Sequence, residues 1–281
     1  MPLEIKVLDY GDIELESSFL VLGRNCGQRA RVPTLGFLIL GDDPIVVDTG
    51  YRNPEIMASL GMRGLQHREQ LIENQLGQHG LKLRDVRYIL HTHLHIDHAG
   101  KDDLFPLSTT VVLNRRELEY SVSGLMHPQY PAPDIKHLID RLHAPHALRF
   151  LDLEASGGEE IVPGVTCYAA GAHTEGSMNV VIETADGIAT ICGDVLYDIH
   201  DQLIEPFMQI QEMEPATTGN HGTSKRAEKA AIKKIIHNSR YVCPIHDRPA
   251  VVERGHVIGR IHDRIPGPMT KTFPKRRWFA A

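Results

Sequence analysis

Hydrophobic positions along the chain switch between a period of two and a period near four, and the switches predict its elements. Apolar runs at 18–22, 35–40 and 45–48 predict strands within the first fifty residues, the last ending on Thr49-Gly50. Residues 68–79 have helical spacing, with Leu71, Ile72 and Leu76 on one face and Gly80 as the stop. A strand follows at 86–90, another at 109–113, then a helix from about Arg115. The Pro- and His-rich stretch 124–147 predicts a loop with one short helix at 135–142. Strands are predicted at 149–153, 164–169, 179–183 and 189–192. A helix at 225–237, capped by Thr223 or Ser224, and a last strand at 242–245 complete the pattern. Strands come in runs, so two sheets packed face to face with helices outside are expected, an α+β or α/β sandwich, rather than a simple βαβ winding.

Composition narrows the class. Apolar residues make up 42% and charged residues 23% of the 281, ordinary values for a globular protein. Such a length buries a core without staples, and the expectation is a single domain over 1–281. A lid or loop insertion is expected near 124–147, and a basic, Pro-rich tail at 265–281. A net charge of −6 disfavours a nucleic-acid partner held by phosphate neutralisation. No apolar run reaches the roughly 18 residues that span a bilayer. The first residues lack a secretory pattern, so a cytoplasmic location is expected. The four cysteines (Cys26, Cys167, Cys192, Cys243) form no close pair and are expected as thiols, Cys192 as apolar filler. The 17 histidines are the unusual feature, and several cluster.

The strongest chemical signal is LHTHLHIDHAG at 90–100, directly after a predicted strand. His93, His95, Asp97 and His98 are ligand-type residues: imidazoles suit zinc or iron, and a carboxylate adds a hard ligand and a proton carrier. Such a turn can serve two adjacent metal positions but completes neither, because each ion takes three or four ligands. His173 in the turn GAHTEGS, Asp194 at the end of ICGD and His246 at the end of VCPIH supply what is missing. Each sits where a strand ends. Taken singly each would be an ordinary loop residue; together with the first cluster they make a set.

The set HTHLHIDHAG, AHTEGS, GDVLYD and PIHD, with VDTGY at 47–51, resembles the metallo-β-lactamase superfamily over residues 35–247. Within it the match is to hydrolases of the N-acyl-homoserine lactonase and pyridoxolactonase type. The resemblance implies a four-layer αββα sandwich with a two-metal centre at the rim of the sheets. It implies that His93, His95 and His173 hold one divalent ion, that Asp97, His98 and His246 hold the second, and that Asp194 bridges them. Zinc is the expected metal, with iron, cobalt or manganese accepted by the same ligands. Tyr197 matches a lactonase tyrosine that contacts the substrate carbonyl or leaving group. The implied reaction is opening of a cyclic ester by a metal-bridging hydroxide, with Asp97 carrying the proton. Two departures stand out: Gly171-Ala172 replaces the usual Pro-Gly before His173, and Ile245 stands where Gly often precedes the last histidine.

Other reactions share the metal motif. Thioester hydrolases of the glyoxalase II type need a C-terminal helical domain for which little chain is left. Secreted β-lactamases carry a signal peptide and often a cysteine ligand. Nucleases of this fold add an insertion or arm, and flavin-coupled di-iron proteins have Glu where His95 stands. A metal-binding scaffold without activity is disfavoured because all seven ligand positions are filled. The expected partner is a small-molecule substrate with a cyclic ester or similar carbonyl; neither nucleic acid nor membrane is expected, and a homodimer is left open. Met57, Leu60, Met62 and Leu65 offer an apolar wall, and Arg24, Arg29, Arg31 and Arg52 either solvate the surface or favour an anionic ring. His127, His137, His143 and His146 are expected at the surface or on the lid, and Lys271, Lys275, Arg276 and Arg277 on a solvated tail.

Overall fold

Strand alternation sorts side chains into layers. In Gln28–Leu40, Phe37 and Ile39 point into one apolar cluster and Leu38 into another; in Ile45–Val47, Ile45 and Val47 divide from Val46 in the same way. The computed structural model describes residues 3–125, 127–208, 214–219, 222–271 and 278–280.

The strands are, in chain order, β1 (Glu4–Glu16), β2 (Gln28–Leu40), β3 (Ile45–Val47), β4 (Arg63–Leu65), β5 (Tyr88–Leu90), β6 (Thr110–Asn114) and β7 (Leu148–Leu151). They continue as β8 (Glu159–Val162), β9 (Val165–Ala169), β10 (Met178–Thr184), β11 (Gly187–Gly193), β12 (Tyr241–Pro244), β13 (Ala250–Glu253) and β14 (His256–Ile261). Short strands β15 (Arg264–Ile265), β16 (Met269–Thr270) and β17 (Trp278–Ala280) close the chain. One sheet runs β15-β1-β2-β3-β5-β6-β7, with β4 beside β1 and β17 beside β2; the other runs β16-β14-β13-β12-β11-β10-β9-β8.

Between the sheets lie Phe37, Val47, Leu90 and Val112 from one side and Val180, Ile191, Cys243 and Ile245 from the other. The helices Ile72–Gly77 and Ala132–Arg141 cover the first sheet through Ile72, Leu76, Ile135 and Leu138. Lys225–Asn238 covers the second through Ala231, Ile232, Ile235 and Ile236. The result is the expected αββα sandwich, with the Ser224 hydroxyl accepting from the Ala227 N–H at 3.1 Å as N-cap.

Several expectations change. The apolar run 18–22 is no strand: Ser17–Phe19 forms a single helical turn whose Ser18 N–H donates to Glu16 at 2.9 Å, and Leu20 and Val21 are buried from a loop. The helix expected at 68–79 is a turn at Arg68–Gln70 followed by a short helix at Ile72–Gly77. The stretch 124–147, with residue 126 outside the described residues, docks firmly. Its helix is Ala132–Arg141, and buried Arg141 donates to the carbonyls of Thr109, Asp102 and Phe105 at 2.8–2.9 Å. The tail enters both sheets through β15, β16 and β17; Lys271 is exposed, whereas Lys275, Arg276 and Arg277 lie outside the described residues.

Candidate metal centre

Parallel pairing of β3 with β5 and β5 with β6 aligns their carboxyl ends, and parallel pairing of β11 with β12 does the same in the second sheet. Asp48 leaves β3, the His91–His98 segment leaves β5, Asp194 leaves β11 and His246 follows β12. The rim shared by both sheets therefore collects every predicted ligand, and His93, His95, Asp97, His98, His173, Asp194 and His246 are all buried.

The seven divide into two groups. Nε2 of His93, Nδ1 of His95 and Nε2 of His173 form a near-equilateral triangle with sides of 3.0, 3.0 and 3.1 Å. Burial, reinforced by neighbouring rings, lowers all three histidines, His173 to about 4, so all three are neutral and aim nitrogens at one another. In the second group, Nε2 of His246 lies 3.3 Å and Nε2 of His98 3.7 Å from the Asp97 carboxylate. Asp194 stands between the groups. One of its oxygens is 3.3 Å from His98 and 3.4 Å from His246; the other is 3.5 Å from His173 and 3.7 Å from His93. Burial opposes charge on His98 and His246, yet the Asp194 and Asp97 carboxylates outweigh it, raising His98 and bringing His246 to about 9.

These residues fit two divalent cations. Tetrahedral ligands at about 2.0–2.1 Å from an ion stand roughly 3.3–3.4 Å apart, close to the spacings above. Among the described residues, Nε2 of His98 and Oδ1 of Asp194, both facing the centre, are buried without a hydrogen bond, which leaves them uncompensated in protein alone.

Surrounding contacts hold the rings. The Nδ1–H of His98 donates to Asp48 at 2.9 Å, which turns Nε2 inward; the Nδ1–H of His246 donates to the Pro33 carbonyl at 2.9 Å with the same effect. Asp48 also accepts from the Thr92 N–H and hydroxyl at 2.9 and 2.7 Å. Asp48 and His173 are both non-glycine residues in the left-handed region, at φ 58° and 71°. That strain costs on the order of 1 kcal/mol each, and the centre holds it in place. Deeper still, His91 bonds Asp102 at 2.7 Å; burial resists its charge, but Asp102 and Asp48 raise it to about 9. Buried Glu117 fastens the two loops together, accepting from the Leu94 N–H at 2.9 Å, the Tyr130 hydroxyl at 3.0 Å and the Thr174 hydroxyl at 2.6 Å. Sequence reasoning passed over Glu117 because its partners come from separate segments.

Tyr197 stacks on His246, ring centroids 5.2 Å apart and planes at 10°, and meets His173 edge-on at 6.0 Å. It lines a cleft that opens from Asp97, Asp194 and His246 to Ile13, Leu15, Phe19, Leu20 and Val32. Met57, Leu60 and Met62 line it as well, whereas Leu65 does not. Three of the four early arginines have carboxylate partners: Arg24 with Glu205, Arg31 with Asp12, and Arg52 with Asp103 and Asp134. They supply no anion site at the cleft. His143 and His146 are exposed, while His137 is half-buried 3.4 Å from Asp102. Cys192 is buried in the apolar layer under the helix Lys225–Asn238, as expected of filler.

Comparison with known proteins agrees with this geometry. The profile of the metallo-beta-lactamase superfamily matches residues 30–246. The chain belongs to the metallo-β-lactamase superfamily. An N-acyl homoserine lactonase of Bacillus sp is 30% identical over 172 residues, 56% of this chain and 61% of that relative. One from Bacillus cereus is 28% identical over 182 residues, 61% of this chain and 67% of that relative. The chain thus spans somewhat under two thirds of the length of the first of these. Among solved structures, an N-acyl homoserine lactone hydrolase with its product N-hexanoyl-L-homoserine at the catalytic metal centre superposes with a TM-score of 0.64. It is 22% identical, and the match covers 84% of this chain and 88% of that one. The dizinc quorum-quenching lactonase AidC superposes at 0.65 with 15% identity, over 98% of this chain and 96% of that one.

Proposed function

We propose that this chain is a dinuclear metallohydrolase that opens lactones, with N-acyl homoserine lactones as the leading substrate class, and that it works in the cytoplasm with two zinc ions. The reading rests above all on Asp194, whose two carboxylate oxygens face different ligand groups, the arrangement a bridging ligand requires. His93, His95 and His173 would hold one ion, and Asp97, His98 and His246 the other. Two cations held there would lower the pKa of water toward neutrality and polarise a carbonyl.

The chain's own groups supply the rest. Asp97 is the most solvent-facing of the seven ligands, lines the cleft, and is kept ionised by His98 and His246 against its burial. It is placed to receive a proton on the substrate side and return it to the leaving oxygen. Tyr197 presents its phenol ring to the same cleft, where its hydroxyl would donate to the oxygen that gains charge. The apolar wall of Leu15, Leu20, Val32, Met57 and Met62 excludes water and suits an acyl chain.

The test is a panel of N-acyl homoserine lactones, simple lactones, thioesters, phosphodiesters and β-lactams offered to zinc-loaded enzyme. Hydrolysis of lactones with a kcat/KM at least about tenfold above every other class supports the reading. Preference for a thioester or phosphodiester overturns it.

A further inference from the structure

Among the described residues, the cleft beside the metal centre is apolar apart from the candidate ligands, Tyr197 and one other side chain, Gln129. Its backbone is clamped: the Gln129 carbonyl accepts from the Ile96 N–H at 2.8 Å, inside the ligand loop itself. The next residue, Tyr130, packs its ring 4.9 Å from His95 and bonds Glu117 at 3.0 Å. The carboxamide is therefore carried by a rigid strap. Its Oε1 is buried and has no hydrogen-bond partner. A buried acceptor without a partner lowers stability, and an apolar residue at this position would avoid that cost. A partner from outside the chain accounts for it.

We propose that Gln129 is a specificity-determining residue that reads an amide group on the substrate. This rests on the lactonase reading above and assigns a residue to it: the Gln129 carbonyl accepts from the N–H of the lactone's acylamino substituent. A primary carboxamide also matches a secondary amide in the opposite sense, its NH2 donating to the acyl carbonyl. The pairing therefore survives rotation about the last side-chain bond. Among the cleft residues, the centre's ligands and Tyr197 are committed to the ring carbonyl and leaving oxygen. Gln129 alone remains to recognise polarity further out, where the wall is otherwise Phe19, Leu20, Leu60 and Met62. A site that bonds a substrate N–H discriminates strongly against an analogue that lacks it.

The experiment compares zinc-loaded wild type and Gln129→Met on two substrates of equal chain length: an N-acyl homoserine lactone, and a γ-lactone bearing an alkyl chain without the amide. Methionine keeps length and removes both polar atoms. Wild type should prefer the amide-bearing lactone, and in Gln129→Met that preference should shrink about 10- to 100-fold, with the loss mostly in KM. A fall of equal size on both substrates, or none on either, overturns the assignment. Gln129→Asn, which retains the carboxamide on a shorter stem, should keep more of the preference than Gln129→Met does. If neither lactone is hydrolysed by wild type, the lactonase reading itself has failed, and that outcome is distinct because it precedes any effect of the variant.

Discussion

Tyr197 and Asp194 lie three positions apart, and on the proposed reading the first handles substrate while the second binds ions. Tyr197→Phe removes one hydroxyl and little volume, and the ring contacts with His246 and His173 remain. Metal content and melting temperature should therefore stay at wild-type values. Steady-state kinetics on the best lactone should show kcat/KM reduced about 10- to 100-fold, equivalent to roughly 1.4–2.7 kcal/mol of transition-state stabilisation. Wild-type kinetics would mean the phenol only packs. Residue by residue, the ligands were readable because the motif carries its own context. Four sit in one turn, His173 sits in the turn between β9 and β10, and Asp194 and His246 follow the ends of β11 and β12. Glu117 and Gln129 were not readable, because the atoms that give them meaning, at Leu94, Thr174 and Ile96, come from other segments.

At the scale of elements, the helix Arg115–Ser121 acts on the centre through Glu117, which ties the loop after β5 to the turn bearing His173. Gly176 in that turn packs so closely on the helix that an added Cβ would collide with the Glu117 backbone. Glu117→Ala strands three donors. Stability should fall by about 2–4 kcal/mol in urea titration, and zinc affinity by about 10- to 100-fold in competition with a chelator. An unchanged zinc affinity would show that the turn holds without its fastening. A second element-level prediction concerns the strap helix Ala132–Arg141. Burial pushes its Asp134 carboxyl up to about 6, with Arg52 at 2.7 Å pulling it back. The folded state thus binds a proton more tightly than the unfolded chain, where the carboxyl titrates near 3.9. That contribution to stability is complete below about pH 3.9 and lost as pH rises through about 6. The gap in melting temperature between wild type and Asp134→Asn should accordingly move in favour of the variant between pH 5 and 7.5. A gap independent of pH would rule the titration out.

Fully buried elements such as β3 and β5 were legible as unbroken apolar runs. By contrast β1 was hidden because its alternation slips where the register shifts between Asp9 and Asp12, at Gly11 with φ 120°. The run at 18–22 misled for the opposite reason: Leu20 and Val21 are buried, but in a loop that roofs the cleft, not in a ladder.

Across the whole molecule, the converging nitrogens and carboxylates would make bound ions part of the stability as well as of the chemistry. Removing them with a chelator should abolish lactone hydrolysis, and zinc, cobalt or manganese should restore it. Differential scanning calorimetry should show a drop on the order of 10 °C, as expected when a ligand present at about a thousand times its Kd is lost from a protein of this size. Full activity in verified metal-free protein would overturn the assignment of the centre. Among the described residues no helix is long and apolar enough to cross a membrane.

The candidate ligands are shared unequally between the two halves of the chain: His93, His95, Asp97 and His98 hang from the first sheet, and His173, Asp194 and His246 from the second. Neither half owns a complete set for either ion. The candidate centre is a seam, and bound ions would be its rivets. A chain severed at the exposed Gly157 would yield two pieces, each short of ligands, whose reunion should register as captured metal. In the intact protein the same division means that, on the proposed reading, hydrolysis would not begin before the two halves had met, and a half-made chain would be inert.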